Sequence, residues 1–225
     1  MTAPTRTPAP AGAPAADLVV IAKEPVPGRV KTRLTPAYTP AQAAALAEAA
    51  LRDTLAAVAA APVGRRVLAL DGAPGPWLPP GFTVVPQRGG GLDERLAAAF
   101  TDAWAGRPLV LIGMDTPQVT PALLRRAARG LRERGAVLGP AADGGFWLLG
   151  LRRPDPGLLR GVPMSRADTG AAQLARLRGA GLEVALLPEL TDVDTPADAR
   201  AVAALAAGTR FAAALRGLHA GTVPA

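Results

Sequence analysis

Residues 17–34 read DLVVIAKEPVPGRVKTRL, and the fold is decided by how this stretch is read. Its first six residues, 17–22, are short, apolar and β-branched, which predicts a strand. The Pro/Gly-rich residues 23–34 cannot extend that strand and read as a loop. An alanine-rich helix is predicted over 40–60, and outward from it the same alternation continues. Strands are predicted at 66–70, 82–86, 108–113, 136–139, 146–151 and 183–187. Helices are predicted at 92–104, about 120–134, about 171–179 and about 196–207. Thr120 caps the second of these, with Pro121 at its first position. Several strands are apolar on both faces, and strands alternate with helices. That pattern predicts an α/β fold with a largely parallel sheet covered by helices on both sides.

The length of 225 residues suits one domain. The expected division is a disordered tail at 1–16, a single domain at 17–208 and a C-terminal extension at 209–225. The tail is rich in Pro, Ala and Thr and lacks the apolar core of a signal peptide. No stretch is long and apolar enough to span a bilayer, so a cytoplasmic protein with no membrane partner is expected. There is no cysteine and one histidine, His219. Disulfides, thiolate metal sites and cysteine nucleophiles are therefore excluded, and histidine acid/base chemistry has no support. A metal would have to be held by oxygen, which selects a hard cation, Mg²⁺ or Mn²⁺. The net charge of +7 rests on 23 arginines and 2 lysines. The arginines are scattered, as at Arg125, Arg126, Arg129, Arg132 and Arg134, and no basic run alternates with aromatics. This argues against nucleic acid and for a solvated basic surface with an anionic small-molecule ligand.

In parallel sheets ligands collect beyond the carboxyl ends of the strands, so the residues following each strand carry the functional reading. Both lysines, Lys23 and Lys31, fall in the loop after the first strand, with Gly28 and Arg33 beside them. Compact ammonium groups, a guanidinium fork and backbone N–H groups can together surround phosphate oxygens. The spacing is not that of a P-loop. After the fourth strand comes GMDTP (113–117). Asp115 there is placed either to hold a cation beside a phosphate or to serve as a turn or capping residue. After the fifth strand comes GPAADGGFW (139–147), where Asp143-Gly144-Gly145 is either a hairpin turn or a close backbone approach to a ligand. Late in the chain comes TDVDTPAD (191–198). Asp192 and Asp194 point the same way if the segment is extended; alternatively one of them, or Thr195, caps the next helix.

AKEPVPGRVKTRL, GMDTP, GPAADGGFWLLGL and TDVDTPADA, in that order, resemble the bacterial glycosyltransferase-A-like family often labelled selenodomain-associated or arsenosugar-biosynthesis transferase. More distantly they are similar to the nucleotidyltransferases that make nucleotide sugars and cofactor dinucleotides. The resemblance spans about residues 17–205. It implies a three-layer α/β/α, Rossmann-like sandwich of the nucleotide-diphospho-sugar transferase type. It also implies a phosphate loop at Lys23, Gly28, Lys31 and Arg33, nucleotide contacts near Gln87 and Arg95, and a metal held by Asp115 and Asp194 with Asp192 in support. Asp93 stands where that family has glycine, Phe146 where it commonly has tyrosine and Met164 where it often has tryptophan, all on the expected acceptor side.

The expected activity is a metal-dependent glycosyl transfer from a nucleotide-diphosphate sugar to a small-molecule acceptor. A cation held by Asp115 and Asp194 would stabilise leaving-group charge, with Lys31 among the groups that neutralise the nucleotide, and Asp143 would orient or deprotonate the acceptor. The alternative is nucleotidyl transfer from a nucleoside triphosphate to a phosphorylated small molecule, with pyrophosphate released. A nucleotide-binding protein without turnover is the third reading.

Overall fold

The computed structural model describes residues 16–220. Seven strands form one sheet: β1 (Asp17–Lys23), β2 (Arg66–Asp71), β3 (Thr83–Pro86), β4 (Leu109–Ile112), β5 (Ala136–Pro140), β6 (Phe146–Leu151) and β7 (Val184–Leu186). Their order is β3-β2-β1-β4-β6-β5-β7. Every pairing is parallel except those of β6, which runs antiparallel to both β4 and β5. The reversal follows from the Asp143-Gly144-Gly145 turn, which sends the chain straight back beside β5.

The helices are α1 (Pro40–Ala60), α2 (Leu92–Ala103), α3 (Pro121–Glu133), α4 (Thr169–Gly179), α5 (Pro196–Leu205) and α6 (Arg210–Ala220). Alternate residues of each strand feed opposite faces of the sheet, as the pleat requires. From β1, Leu18 and Val20 join the core under α1 and α3, with Leu51, Leu55, Leu124 and Leu131. Val19 joins the opposite core under α2 and α4, with Leu96, Phe100 and Leu177. The result is the expected three-layer α/β/α sandwich with a mostly parallel sheet.

Three helices, α1, α3 and α5, open on a proline, the expected Thr120-Pro121 start among them. Thr39 caps α1 through a reciprocal capping box with Gln42, and the Thr120 hydroxyl accepts from the Leu123 N–H in α3. Helix α4 starts two residues before the predicted position. Arg125, Arg126, Arg129, Arg132 and Arg134 all lie exposed, as a solvated surface requires.

Part of the expected extension at 209–225 is α6, which packs against α1 and α5 through Phe211, Ala212 and Leu215. Asp53, near the middle of α1, accepts from the Arg210 N–H at 3.0 Å and the Phe211 N–H at 2.8 Å. It thereby satisfies donors that open every helix. His219 stacks on Tyr38 with a 3.1 Å Oη–Nε2 contact, so the single histidine is a packing residue. The expected tail at 1–16 lies outside the described residues except for Ala16. That residue is buried, and its carbonyl accepts from the Gly64 N–H. Among the described residues no helix is long and apolar enough to cross a membrane.

Candidate active site

The strand order carries a consequence for binding. From β1 the chain moves outward to β2 and β3, then returns to lay β4 on the other side of β1. The loops leaving β1 and β4 therefore diverge, and a crevice opens between them at the carboxyl ends of the strands. An open cleft of about 620 Å³ occupies this position.

Lys31 is the centre of the cleft. Its backbone sits in the left-handed region, at φ 49° and ψ 39°, a conformation uncommon outside glycine. Buried Val30 and Leu34 anchor the loop on either side. The Lys31 ammonium lies 2.9 Å from Asp115 Oδ2 and 2.9 Å from Asp194 Oδ1, with only 8% of its side chain exposed. Arg33 Nη1 reaches the other oxygen of Asp194 at 3.2 Å. Burial alone would favour loss of the lysine proton. The charges and hydrogen bonds of Asp115 and Asp194 outweigh it and hold the Lys31 pKa above the ordinary lysine value. Burial likewise opposes ionisation of Asp194, but the charge and hydrogen bond of Lys31, then the charge of Arg33, prevail and hold its carboxyl below the usual range.

The two acid-bearing segments are tied together. The Val193 N–H donates to the Asp115 carbonyl at 3.0 Å, and Gln118 Nε2 donates to the Thr191 carbonyl at 2.7 Å. Val193 is buried while Asp192 and Asp194 on either side of it both line the cleft, the alternation of an extended segment. The capping role falls to Thr195, which forms a capping box with Asp198 and caps α5. Asp192 and Asp194 are thus free for the cleft, and Asp115 caps no helix.

Asp192 experiences the crowding of acids most strongly. Burial, then the charges of Asp115 and Asp143, push its carboxyl up to about 7; Lys31 offsets this only in part, and Asp194 adds to it. An acid titrating near 4 unfolded and near 7 folded costs stability once it is ionised in the unfolded state, because the native state still holds the proton there. That cost is absent below about pH 4, grows between about pH 4 and pH 7, and is complete above. Asp192→Asn is accordingly expected to raise the melting temperature at pH 8 and leave it nearly unchanged at pH 4. Equal shifts at both pH values would refute this electrostatic account.

Asp143 lines the same cleft, and its Oδ1 accepts from the Gly145 N–H at 2.8 Å. Asp143-Gly144-Gly145 is therefore the hairpin turn between β5 and β6, and Asp143 and Gly145 of it line the cleft. Gly144 has φ +87°, and a Cβ there would stand 1.9 Å from the Ala167 carbonyl oxygen. Trp147, nearly fully buried, donates from its indole to the Pro188 carbonyl and packs under Gly139, forming part of the floor.

Of the other expected nucleotide contacts, Lys23 and Arg33 line the cleft, as do Gln87 and Arg95. The Gln87 amide donates to the Ala22 and Ala69 carbonyls, and Arg95 is paired with Asp71 at 3.1 Å. Gly28 does not line the cleft. It makes the outer turn of the loop at φ +76°, where its lack of a side chain serves the backbone. Phe146 and Met164 line the cleft, whereas Asp93 accepts from the Gly161 N–H at 2.8 Å. Arg29, Ser165, Arg166 and Thr169 line it too. Sequence reasoning does not single out Ser165, Arg166 and Thr169, because the segment 165–169 follows no strand. Its only local signal is a small-polar cluster.

Asp115 Oδ1 is buried without a hydrogen-bond partner, an orphaned oxygen whose burial a cation would offset. Among the described residues no three acidic or histidine side chains form a group that would by itself cage a metal ion. Mg²⁺ typically takes one or two carboxylates and completes its shell with waters and substrate phosphates. Asp115 and Asp194 fit that shared kind of site.

A model of the family described as "uncharacterized protein conserved in bacteria (DUF2064)" matches residues 34–166. The phosphoenolpyruvate guanylyltransferase of Streptomyces avermitilis is 37% identical over 177 residues, 76% of each chain. A candidate nucleotide-diphospho-sugar transferase from Desulfovibrio desulfuricans G20 superposes with a TM-score of 0.82 at 28% identity, over 92% of this chain and 96% of that one. The 2-C-methyl-D-erythritol 4-phosphate cytidylyltransferase of Thermus thermophilus superposes at 0.53 and 18% identity, over 85% and 98%, and shares the fold. The chain belongs to the DUF2064 family and is a transferase, one of the nucleotide-utilising kind.

Proposed function

We propose that this member of the family is a nucleotidyltransferase that joins the nucleoside monophosphate of a triphosphate to the phosphate of a small phosphorylated acid. The observation that carries the reading is the crevice between β1 and β4. There the cationic loop 23–34 faces Asp115, Asp192 and Asp194 across a single cleft. Four cationic side chains, Lys23, Arg29, Lys31 and Arg33, line the cleft, two of them paired with its acids, and a triphosphate uses that charge better than a sugar-linked diphosphate does. The 37% identity to a phosphoenolpyruvate guanylyltransferase favours nucleotidyl over glycosyl transfer and makes GTP the first donor to test.

In the reaction a phosphate oxygen of the acceptor attacks the α-phosphorus of the triphosphate. The bond to the bridging oxygen of the β-phosphate breaks, and pyrophosphate leaves with that electron pair. A divalent cation held by Asp115 and Asp194, with Asp192 in support, would supply charge stabilisation on the phosphate oxygens. The loop cations neutralise the departing pyrophosphate, a contribution that grows as charge develops on it. Asp143 is fixed by its bond to the Gly145 N–H and would orient an anionic acceptor by way of the cation and its waters, not by direct contact. Arg166 lines the cleft with Phe146 and Met164; paired in this structure with Asp168 at 2.9 and 3.1 Å, it would exchange that partner for an anionic acceptor.

The test incubates the protein with Mg²⁺ or Mn²⁺, each of the four nucleoside triphosphates, and phosphoenolpyruvate among a set of phosphorylated acids, and measures pyrophosphate. Acceptor-dependent pyrophosphate is the expected result. Release of nucleoside diphosphate from nucleotide sugars, with no pyrophosphate from any triphosphate, would return the assignment to glycosyl transfer.

A further inference from the structure

The geometry points to a second role for Lys31: we propose that its ammonium is an internal counter-cation that holds the metal position in the nucleotide-free protein and is displaced from it when a divalent cation binds. The proposal rests on the reading of Asp115 and Asp194 as the metal-holding pair.

Three observations carry it. The ammonium bridges those two carboxylates at equal distances of 2.9 Å, so it sits where a cation shared by both acids would sit. A divalent ion bound to the same oxygens would be forced within a few ångströms of it, where like charges in a partly buried site repel strongly. One of the two must leave. The second observation is that the cleft holds more acid than the lysine can neutralise. Asp143 and Asp192 face the same space as Asp115 and Asp194, and Asp115 Oδ1 is left buried and unpaired. A single ammonium is therefore a partial substitute, and a doubly charged ion with several open ligand positions competes well against it.

The third observation concerns what can move. Buried Val30 and Leu34 fix the loop on each side of Lys31, and the Leu34 N–H donates to the Lys31 carbonyl. The backbone is anchored, but the ammonium ends a flexible four-carbon stem. Thr32 and Arg33 beside it are exposed, which leaves an open direction toward the phosphate side of the cleft. Displacement by the cation thus delivers the ammonium to the triphosphate that arrives with it. Without ligands, the same contact prevents the acids from repelling one another.

This role predicts effects of opposite sign from one substitution. Lys31→Met keeps the stem and removes the charge. Mn²⁺ alone, titrated into nucleotide-free protein and followed by electron paramagnetic resonance, is expected to bind the variant about tenfold more tightly than the wild type. Triphosphate binding in chelator, without metal, is expected to weaken by about the same factor. Arg33→Met, which removes an exposed charge that touches Asp194 alone and does not bridge the two acids, serves as the comparison and is expected to change Mn²⁺ affinity far less. A lysine that only contacts phosphate would leave Mn²⁺ affinity unchanged in Lys31→Met. A lysine that only supports the fold would weaken both. Either result overturns the proposal.

The wild-type protein supplies an arm that does not depend on a variant folding. With two lysines in the whole chain, ¹³Cε/¹⁵Nζ-lysine labelling gives one ammonium signal for each. Mg²⁺ alone is expected to move the Lys31 signal far more than that of Lys23. A Lys31 signal unchanged at saturating Mg²⁺ would refute displacement. Neither arm contains nucleotide turnover or acceptor, so a failed pyrophosphate assay and a failed displacement are separate outcomes.

Discussion

Asp115→Asn is expected to lower pyrophosphate-releasing turnover by roughly 10²- to 10³-fold, the scale on which single charge-stabilising groups act, while the protein remains folded. The side chain keeps its size, so the strand end and the Val193 N–H bond to the Asp115 carbonyl are undisturbed. What changes is charge. Lys31 loses one of its two carboxylate partners, and the cleft loses an anion at the position where the β1 and β4 loops separate. The Asp115 charge also helps keep the Asp192 carboxyl near 7, so the neighbouring acid should ionise at lower pH in the variant. The loss should appear mainly in kcat and in the concentration of Mg²⁺ needed for half-maximal rate. Steady-state kinetics over a metal titration, with far-UV circular dichroism as the folding control, measures it. Turnover within a factor of about three of wild type would remove Asp115 from the reaction, since effects on that scale are below what one stabilising charge contributes.

Gly144→Ala is expected to cost the most stability of any single-methyl addition near the cleft. The residue has φ +87°, and an alanine Cβ would stand 1.9 Å from the Ala167 carbonyl oxygen and 2.5 Å from its carbon. Both are backbone atoms, so no rotamer change relieves the overlap. The Gly170 N–H also donates to the Gly144 carbonyl at 2.7 Å, which locks this turn to the start of α4. The left-handed penalty for alanine is about 1–2 kcal/mol, and forced backbone displacement adds about 1–3 kcal/mol more. The expected total of about 2–5 kcal/mol would be read from urea unfolding as a lower midpoint with an unchanged slope. Asp143 and Arg166 stand on the two displaced segments, so the surviving folded protein should also lose acceptor affinity. A cost below about 0.5 kcal/mol, the level of ordinary surface substitutions, would show that residues 165–168 yield freely and that this contact positions nothing.

How far the sequence could be read differs from one residue to the next. Asp192 and Asp194 were recognisable as a pair because an extended segment sends every second side chain to one face, and the structure places both in the cleft with Val193 buried between them. The alternative that one of them caps α5 could be settled only by seeing Thr195 take that bond. Arg166 and Ser165 escaped notice because their segment leaves no strand and has no periodicity. It reaches the cleft only through the packing of α4 against the glycine turn. The helix α6 is not legible in the sequence because its apolar stripe of Phe211, Ala212 and Leu215 is short. Its stability comes from a surface on α1 and from the Asp53 carboxylate, contributed from more than 150 residues away.

The loop 23–34 shows where the division lies. By itself the sequence determined that a strand of apolar, β-branched residues must give way there to a loop. It also determined that the chain's two lysines lie within nine residues of each other on that loop, and that the recurrence of apolar strands and helices closes into a covered parallel sheet. Those properties follow from local sterics, hydrophobic periodicity and composition, which act over a few residues. Only the tertiary structure decided which charges meet. The strand order sets the β1 loop against the ends of β4 and of the segment beyond β7. In that arrangement Lys31 is held between Asp115 and Asp194, rather than standing open to a phosphate as its sequence neighbours suggested. The physical reason is that Coulomb attraction depends on distance in space, and residues 84 and 163 positions apart come within 2.9 Å only after the sheet has assembled.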